Sequence, residues 1–233
     1  MITIKKIIFL YKSNSSIFIL ISFLFNKLIN LSVKRKIVKF KKKHQTLLNH
    51  KKITNDFFSA NAYNFYYYLN KLKPDFDYLE IGSYEGNSAI FVADNFVKSK
   101  IDCVDNWVGN DEYIDHISFS KIEQNFNLNT TNFKNIFKNK CLSDKFFQDN
   151  SKMFDVIYID GYHHGSQVYK DCINSWKCLK NSGFLICDDY IWRFYDNFKD
   201  NPCYAINVFL KEITGKYKLE KVSNSQIFIK KIN

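Results

Sequence analysis

Two short acidic stretches of this chain each follow an apolar run. Ile159-Asp160-Gly161-Tyr162-His163-His164-Gly165 closes the run Phe154–Ile159, and Cys187-Asp188-Asp189-Tyr190 closes the run Phe184–Cys187. If both runs are neighbouring strands, Asp160, Asp188 and Asp189 converge at one sheet edge. Like charges that close repel unless a cation or a proton intervenes. Hard oxygen donors suit Mg²⁺ or a similar divalent ion, which keeps several waters for a substrate to displace. His163, three residues after Asp160, has the chemistry of a general base at neutral pH. The competing reading of Asp188-Asp189 is a helix cap or a turn. For His164 the plain reading, a hydrogen-bonded polar residue, is preferred.

A second constellation follows an earlier apolar run. Leu79-Glu80-Ile81-Gly82-Ser83-Tyr84-Glu85-Gly86-Asn87-Ser88 places two glycines where the backbone can turn tightly and a ligand can approach. Asp105 lies nineteen residues past Gly86, about where an acid meets ribose hydroxyls in nucleotide folds. A dinucleotide site needs G-x-G-x-x-G to cradle a pyrophosphate. Here the pattern is E-x-G-x-x-x-G, with acids at Glu80 and Asp105 and no added basic group. That suits a nucleoside carrying a cation better than a diphosphate. A purely structural glycine turn is the alternative.

The elements that must hold these residues alternate. Apolar runs at Tyr78–Ile81, Ile101–Val104, Phe154–Ile159 and Phe184–Cys187 read as buried parallel strands, because they lack polar alternation. Helical patterns lie at Asn87–Val97, Ser118–Leu128 and Ser166–Lys180, and an aromatic-rich helix precedes them over 57–72. Strands alternating with helices predict an α/β sheet covered on both faces. A helix from Pro202 to Ile213 leads to Tyr217–Val222 and Gln226–Ile232, two strands about a tight turn, which predicts an antiparallel hairpin at the sheet edge.

Charge is divided unevenly. Residues 1–52 hold 13 Lys and Arg and no Asp or Glu; the other 21 basic residues (34 less 13) face 23 acids, a net of −2. The expected organisation is a basic, apolar extension over 1–52 and one domain over 53–233. A nearly neutral body speaks against nucleic acid as a partner. With 46% hydrophobic residues and only 7 Gly and 2 Pro, disordered and collagen-like chains are excluded. Six cysteines without a C-x-x-C pair read as buried thiols of a reducing compartment, so the expected location is cytoplasmic.

Within the extension, IFILISFLF (17–25) follows Lys5, Lys6 and Lys12. Nine clean residues fall short of the roughly 20 that span a bilayer. On a helix, Ser22, Asn26 and Asn30 share one narrow polar face and the rest is apolar. A signal peptide lacks its small-residue cleavage site here. A spanning anchor would bury Lys27 and two Asn. An interfacial helix backed by the basic block Lys34–Lys43, peripheral at a membrane surface, fits best; a helix capping the domain beside a solvated charge run is the alternative.

Taken in order, LEIGSYEGNSA, DNW after the second strand, CLSD, FDVIYIDGYHHGSQVYKD and LKNSGFLICDDY resemble the class I S-adenosylmethionine-dependent methyltransferases, in the family 24 branch that is similar to macrocin-type and catechol O-methyltransferases. The resemblance covers about half the chain, Tyr78–Tyr190. It implies a Rossmann-like, doubly wound, mostly parallel seven-stranded sheet with the C-terminal antiparallel hairpin. It assigns Glu80, Gly82, Tyr84, Gly86 and Ser88 to the methionine end of S-adenosylmethionine, Asp105 to the ribose, Trp107 to the adenosyl pocket and Ser143 to the adenine side, although Lys140 stands where the family has glycine. Asp160, Asp188 and Asp189 match its metal ligands, Mg²⁺ being the expected ion, and His163 its general base. The implied reaction is O-methylation of a small polyol, sugar or glycan-type acceptor with vicinal hydroxyls, the segment Ile191–Asn201 lining the acceptor side through Trp192, Arg193 and Tyr195. An NAD-type oxidoreductase, or a non-catalytic membrane-tethered module on the same fold, are the other classes considered.

Overall fold

The computed structural model describes residues 2–109, 112 and 119–232. In chain order the elements are α1 (Ile2–Lys12), α2 (Ile17–Ser32), α3 (Lys34–Leu48), a 3₁₀ turn (Ser59–Asn61), α4 (Ala62–Leu69), β1 (Asp77–Ile81), α5 (Asn87–Asn95), β2 (Lys100–Asp105), α6 (Phe119–Thr130), β3 (Ile136–Lys140), α7 (Ser143–Asp149), β4 (Phe154–Ile159), α8 (Gly165–Cys178), β5 (Leu179–Cys187), a second 3₁₀ turn (Phe198–Asp200), α9 (Pro202–Glu212), β6 (Tyr217–Val222) and β7 (Ile227–Lys231). The seven strands follow the order β3-β2-β1-β4-β5-β7-β6, a Rossmann-like, mostly parallel arrangement whose C-terminal strands pair antiparallel. By compactness the chain divides into residues 32–146 and a second unit of 1–31 with 147–233.

In the 32–146 unit, β1, β2 and β3 pair in parallel, Tyr78 opposite Ile101 and Ile101 opposite Ile136. Strand β1 buries Tyr78, Leu79, Glu80 and Ile81, consecutive residues and so both faces, as a run without polar alternation requires. Helix α5 is buried from Ser88 through Ala93, and α6 buries Ile122, Asn125, Phe126 and Asn129, one face at helical spacing. Ser118, expected to open α6, lies outside the described residues. The sequence did not disclose β3. Its IFKNK has two apolar residues, and none of the five is fully buried, because the strand lies at the sheet edge. Helix α3 also packs in this unit, so the boundary expected after residue 52 falls inside it. The His44 ring is buried edge-on against Phe58 and Phe91, and its Nε2 lies 2.6 Å from Asn87 Oδ1.

In the other unit, β4 and β5 are parallel, while β7 pairs antiparallel with both β5 and β6. The C-terminal hairpin falls where the sequence puts it; Ser223 Oγ accepts the Gln226 N–H at 2.8 Å and closes its turn. The helix expected to run to Lys180 stops at Cys178, and β5 starts at Leu179. Ser182 has a left-handed φ of +64°, and the β4–β5 register slips between Phe154 and Val156. The strand therefore enters through an irregular turn, and its apolar pattern emerges only from Phe184. All six cysteines are free, five of them buried.

Candidate active site

The glycine turn lies in the 32–146 unit. Gly82 (φ +88°) and Gly86 (φ +83°) bracket Tyr84, itself left-handed at φ +47°. At Gly86 a Cβ would strain the backbone and press to 3.1 Å on the Phe126 ring, so glycine is needed there for the turn and for the packing of α6. Glu80 is fully buried and accepts the Tyr78 hydroxyl at 3.0 Å. Ser88 is buried in the first turn of α5, and Ser143 is half-buried at the start of α7.

Asp105 ends β2 and holds the turn. Its Oδ2 accepts the Tyr84 N–H at 2.9 Å, and its Oδ1 accepts the Trp107 N–H at 2.8 Å. Burial pushes its carboxyl above the usual range, and backbone N–H groups, that of Trp107 foremost, pull the other way. A carboxylate oxygen has lone pairs beyond one such bond, so hydroxyls of a ligand can still be accepted. Trp107 is 4% exposed, with left-handed φ; its Nε1–H donates to the Tyr84 carbonyl at 2.8 Å and its ring packs on Phe126. It braces the turn.

Glu85, inside the quoted motif yet given no role by sequence reasoning, is the buried fastener of this turn. It accepts the Thr54 N–H and hydroxyl, both at 2.6 Å, and the Asn125 amide at 2.7 Å. Asn129 ties the Glu85 carbonyl to Lys52. The Glu85 partners Thr54 and Asn125 lie 31 and 40 positions away, so no local signal in the sequence marked this acid.

The acidic group lies in the other unit. His163 Nε2 is 3.1 Å from Asp189 Oδ2 and 3.6 Å from Asp160 Oδ1, and one donor atom from each residue falls within 4.8 Å of the others. All three are partly open to solvent, the His side chain 18% exposed and the acids about a third. Asp189 sits at φ +49°, a strained position for a non-glycine residue that turns its carboxylate towards His163. Burial raises the Asp160 carboxyl; the His163 hydrogen bond opposes this and the Asp189 charge adds to it.

Asp188 is engaged differently. Its Oδ1 accepts the Asp189 N–H at 2.8 Å, and its Oδ2 accepts the Gln226 amide at 2.8 Å and makes a short contact with the Tyr158 hydroxyl. That phenol also bonds Asp160 Oδ2 at 2.8 Å. A phenol has one proton, so a second proton is needed to make both bonds. Burial, then the Asp160 and Asp189 charges, push the Asp188 carboxyl well above the usual range. Sequence reasoning missed Tyr158 and Gln226. Tyr158 was legible, since residues two apart on a strand share a face; Gln226 comes from the distant hairpin turn. His164 is the N-cap of α8, its Nδ1 accepting from the Ser166 N–H. Beside these residues lie Trp192, its ring 5.0 Å from His163, and Phe194 stacked on Trp192 at 5.3 Å.

Residues 79–190 match methyltransferase family 24, described as a methyltransferase domain. Protein R132 of Acanthamoeba polyphaga mimivirus is 28% identical over 158 residues, which are 62% of this chain; the match spans 64% of the relative's length. Among solved structures, the O-methyltransferase TomG from Streptomyces achromogenes, in complex with S-adenosylmethionine, superposes with a TM-score of 0.59 at 9% identity, over 83% of this chain and 89% of that one. The MycE methyltransferase of the mycinamycin pathway, in complex with Mg, S-adenosylhomocysteine and mycinamycin VI, does so with a TM-score of 0.58 at 13% identity, over 84% of this chain and 54% of that one. At such identities these likenesses establish the fold, and residues 79–190, a little under half of this chain, match the methyltransferase domain of family 24.

Proposed function

We propose that this chain transfers the methyl group of S-adenosylmethionine to a hydroxyl oxygen of a small polyol, sugar or glycan-type acceptor. The observation that carries the oxygen chemistry is the juxtaposition of His163 with Asp160 and Asp189, an imidazole nitrogen against two carboxylates at the end of β4 and β5. The turn of Gly82 and Gly86, with Glu80, Tyr84 and Ser88, would receive the methionine end of the cofactor. Asp105 would accept the ribose hydroxyls. Trp107 would wall the adenosyl side by holding the turn in shape, and Ser143 would face the adenine.

In this reading the acceptor oxygen attacks the sulfonium methyl carbon. The O–C bond forms as the C–S bond breaks, and the sulfur leaves as the neutral thioether of S-adenosylhomocysteine. The hydroxyl proton passes to the His163 imidazole, and the Asp189 carboxylate, 3.1 Å from its Nε2, stabilises the imidazolium that results. Holding the reactants in line supplies much of the acceleration. Trp192, Phe194 and Tyr195 offer ring faces to an acceptor.

The donor set fits a divalent cation: two partly open carboxylates and an imidazole nitrogen, with the Asp160 carboxyl raised by burial and by the Asp189 charge. Asp160, Asp188 and Asp189 would hold it as carboxylates, since ligands bind deprotonated. Such an ion polarises a hydroxyl and lowers its pKa. The NAD-type alternative has no support in a turn that lacks G-x-G-x-x-G. The test is calorimetric binding of S-adenosylhomocysteine against NAD, followed by an acceptor screen with methyl-labelled cofactor. Tighter binding of NAD, or label transferred only to nitrogen acceptors, would overturn the reading.

A further inference from the structure

Helix α2 is docked inside out. Its polar stripe is turned towards its own unit: Asn26 is buried with its amide on the Ser22 carbonyl, and Asn30 accepts the Lys221 ammonium at 3.4 Å. Ile19 and Phe23 are buried on the same side. The opposite face carries Phe18, Ile21, Leu24, Phe25, Leu28 and Leu31, all exposed, Phe18 to 73% and Leu31 to 71%. Helix α1 adds Ile4, Ile8 and Tyr11, exposed at helical spacing.

This orientation is fixed by specific bonds. At the corner between the two helices, the Asn207 amide donates to the Ser13 carbonyl at 2.8 Å and to Ser15 Oγ at 2.9 Å, and Ser15 Oγ meets the Tyr190 hydroxyl at 3.3 Å. In water such a stripe forfeits about 25 cal/mol for each Å² of apolar surface left wet. A contiguous exposed patch of this kind marks a surface that something apolar covers.

Charge decides what covers it. Residues 1–31 carry Lys5, Lys6, Lys12 and Lys27 and no acid, and the next helix in the chain brings seven more Lys and Arg between 34 and 43. Lys6 is pushed below its usual range by burial and by Lys27, two like charges held close. A second copy meeting the same patch about a two-fold axis would set lysine against lysine. Anionic headgroups would neutralise them. Among the described residues no single helix is long and apolar enough to cross a membrane, so the face would lie on a bilayer.

We propose that the outer face of α1 and α2 inserts into the headgroup–acyl boundary of an anionic lipid bilayer, with the flanking lysines on its phosphates. The proposal is independent of the methyl acceptor. The full chain should co-sediment with vesicles containing about one third phosphatidylglycerol, and bind pure phosphatidylcholine at least ~10-fold more weakly; raised salt should also weaken it. The variant F18E/F25E/L28E should lose at least ~10-fold in vesicle affinity while keeping its melting temperature and its S-adenosylhomocysteine affinity. A second variant, K5Q/K12Q, leaves the apolar face intact and should bind anionic vesicles several-fold more weakly. Unchanged binding by either folded variant would overturn the proposal. So would light scattering that shows a wild-type dimer, lost in the triple variant, with no vesicle binding by either.

Discussion

The carboxylate of Asp105 accepts the backbone N–H of Tyr84 at 2.9 Å, so the acid that ends β2 also sets the shape of the turn that follows β1. Both oxygens of Asp105 hold backbone, and a change there acts on the turn before it acts on any ligand. Asp105→Ala is expected to weaken S-adenosylhomocysteine binding by about 1–3 kcal/mol, the usual cost of losing a partner of buried polar groups. It should also lower the melting temperature. Calorimetry and thermal unfolding read the two effects, and unchanged affinity would remove Asp105 from the cofactor site.

His163 and His164 are neighbours with different work. His163→Ala should lower the rate constant by roughly 10²–10⁴, the worth of a positioned general base. Cofactor affinity should barely move. His164→Ala should keep most activity and cost about 1 kcal/mol of stability through loss of the α8 cap. Steady-state kinetics with urea unfolding separate them; a dead His164 variant would reverse the assignment.

The acidic group should respond to metal without any turnover. Mg²⁺ or Mn²⁺ at about a hundred times its dissociation constant stabilises a fold by about 2.7 kcal/mol. The melting temperature of the full chain should rise with the ion and fall back with chelator, and Asp160→Asn and Asp189→Asn should abolish the rise. A rise retained in both variants would place the ion elsewhere.

His44 gives the fold a pH dependence. Burial pushes its imidazole below the ordinary value of 6.5, against the Asn87 hydrogen bond and the Asp56 and Asp94 charges that favour the cation, with Lys43 adding to the downward push. The folded state therefore binds this proton less readily than the unfolded one. Stability from His44 is present above 6.5, the unfolded value, and is lost as pH falls through the lower folded value. Denaturant unfolding from pH 8 to 5 should show the decline, and His44→Phe should flatten it. An unaltered slope would mean that other groups carry it.

The strands β1, β2 and β4, the hairpin of β6 and β7, and the candidate residues at the strand ends were legible because their signals are local. An apolar run without polar alternation reports a strand buried on both faces, and an acid or histidine just beyond it is found by counting. Strand β3 was not legible, since an edge strand exposes most of its side chains and loses the run. The fastening of Glu85 by Thr54 and Asn125, and of Asp188 by Gln226, joins residues 31 to 40 positions apart. Such pairings exist only once the chain has closed, so tertiary structure alone decided which acids hold the fold and which stay open near His163. The same holds for α2. Its sequence showed a polar stripe and an apolar remainder, as any amphipathic helix does, but a helix can be turned about its axis without changing its sequence. The bonds of Asn207 at the corner before α2, and of Lys221 to Asn30, hold the polar stripe inward and leave Phe18, Phe25 and Leu28 facing out.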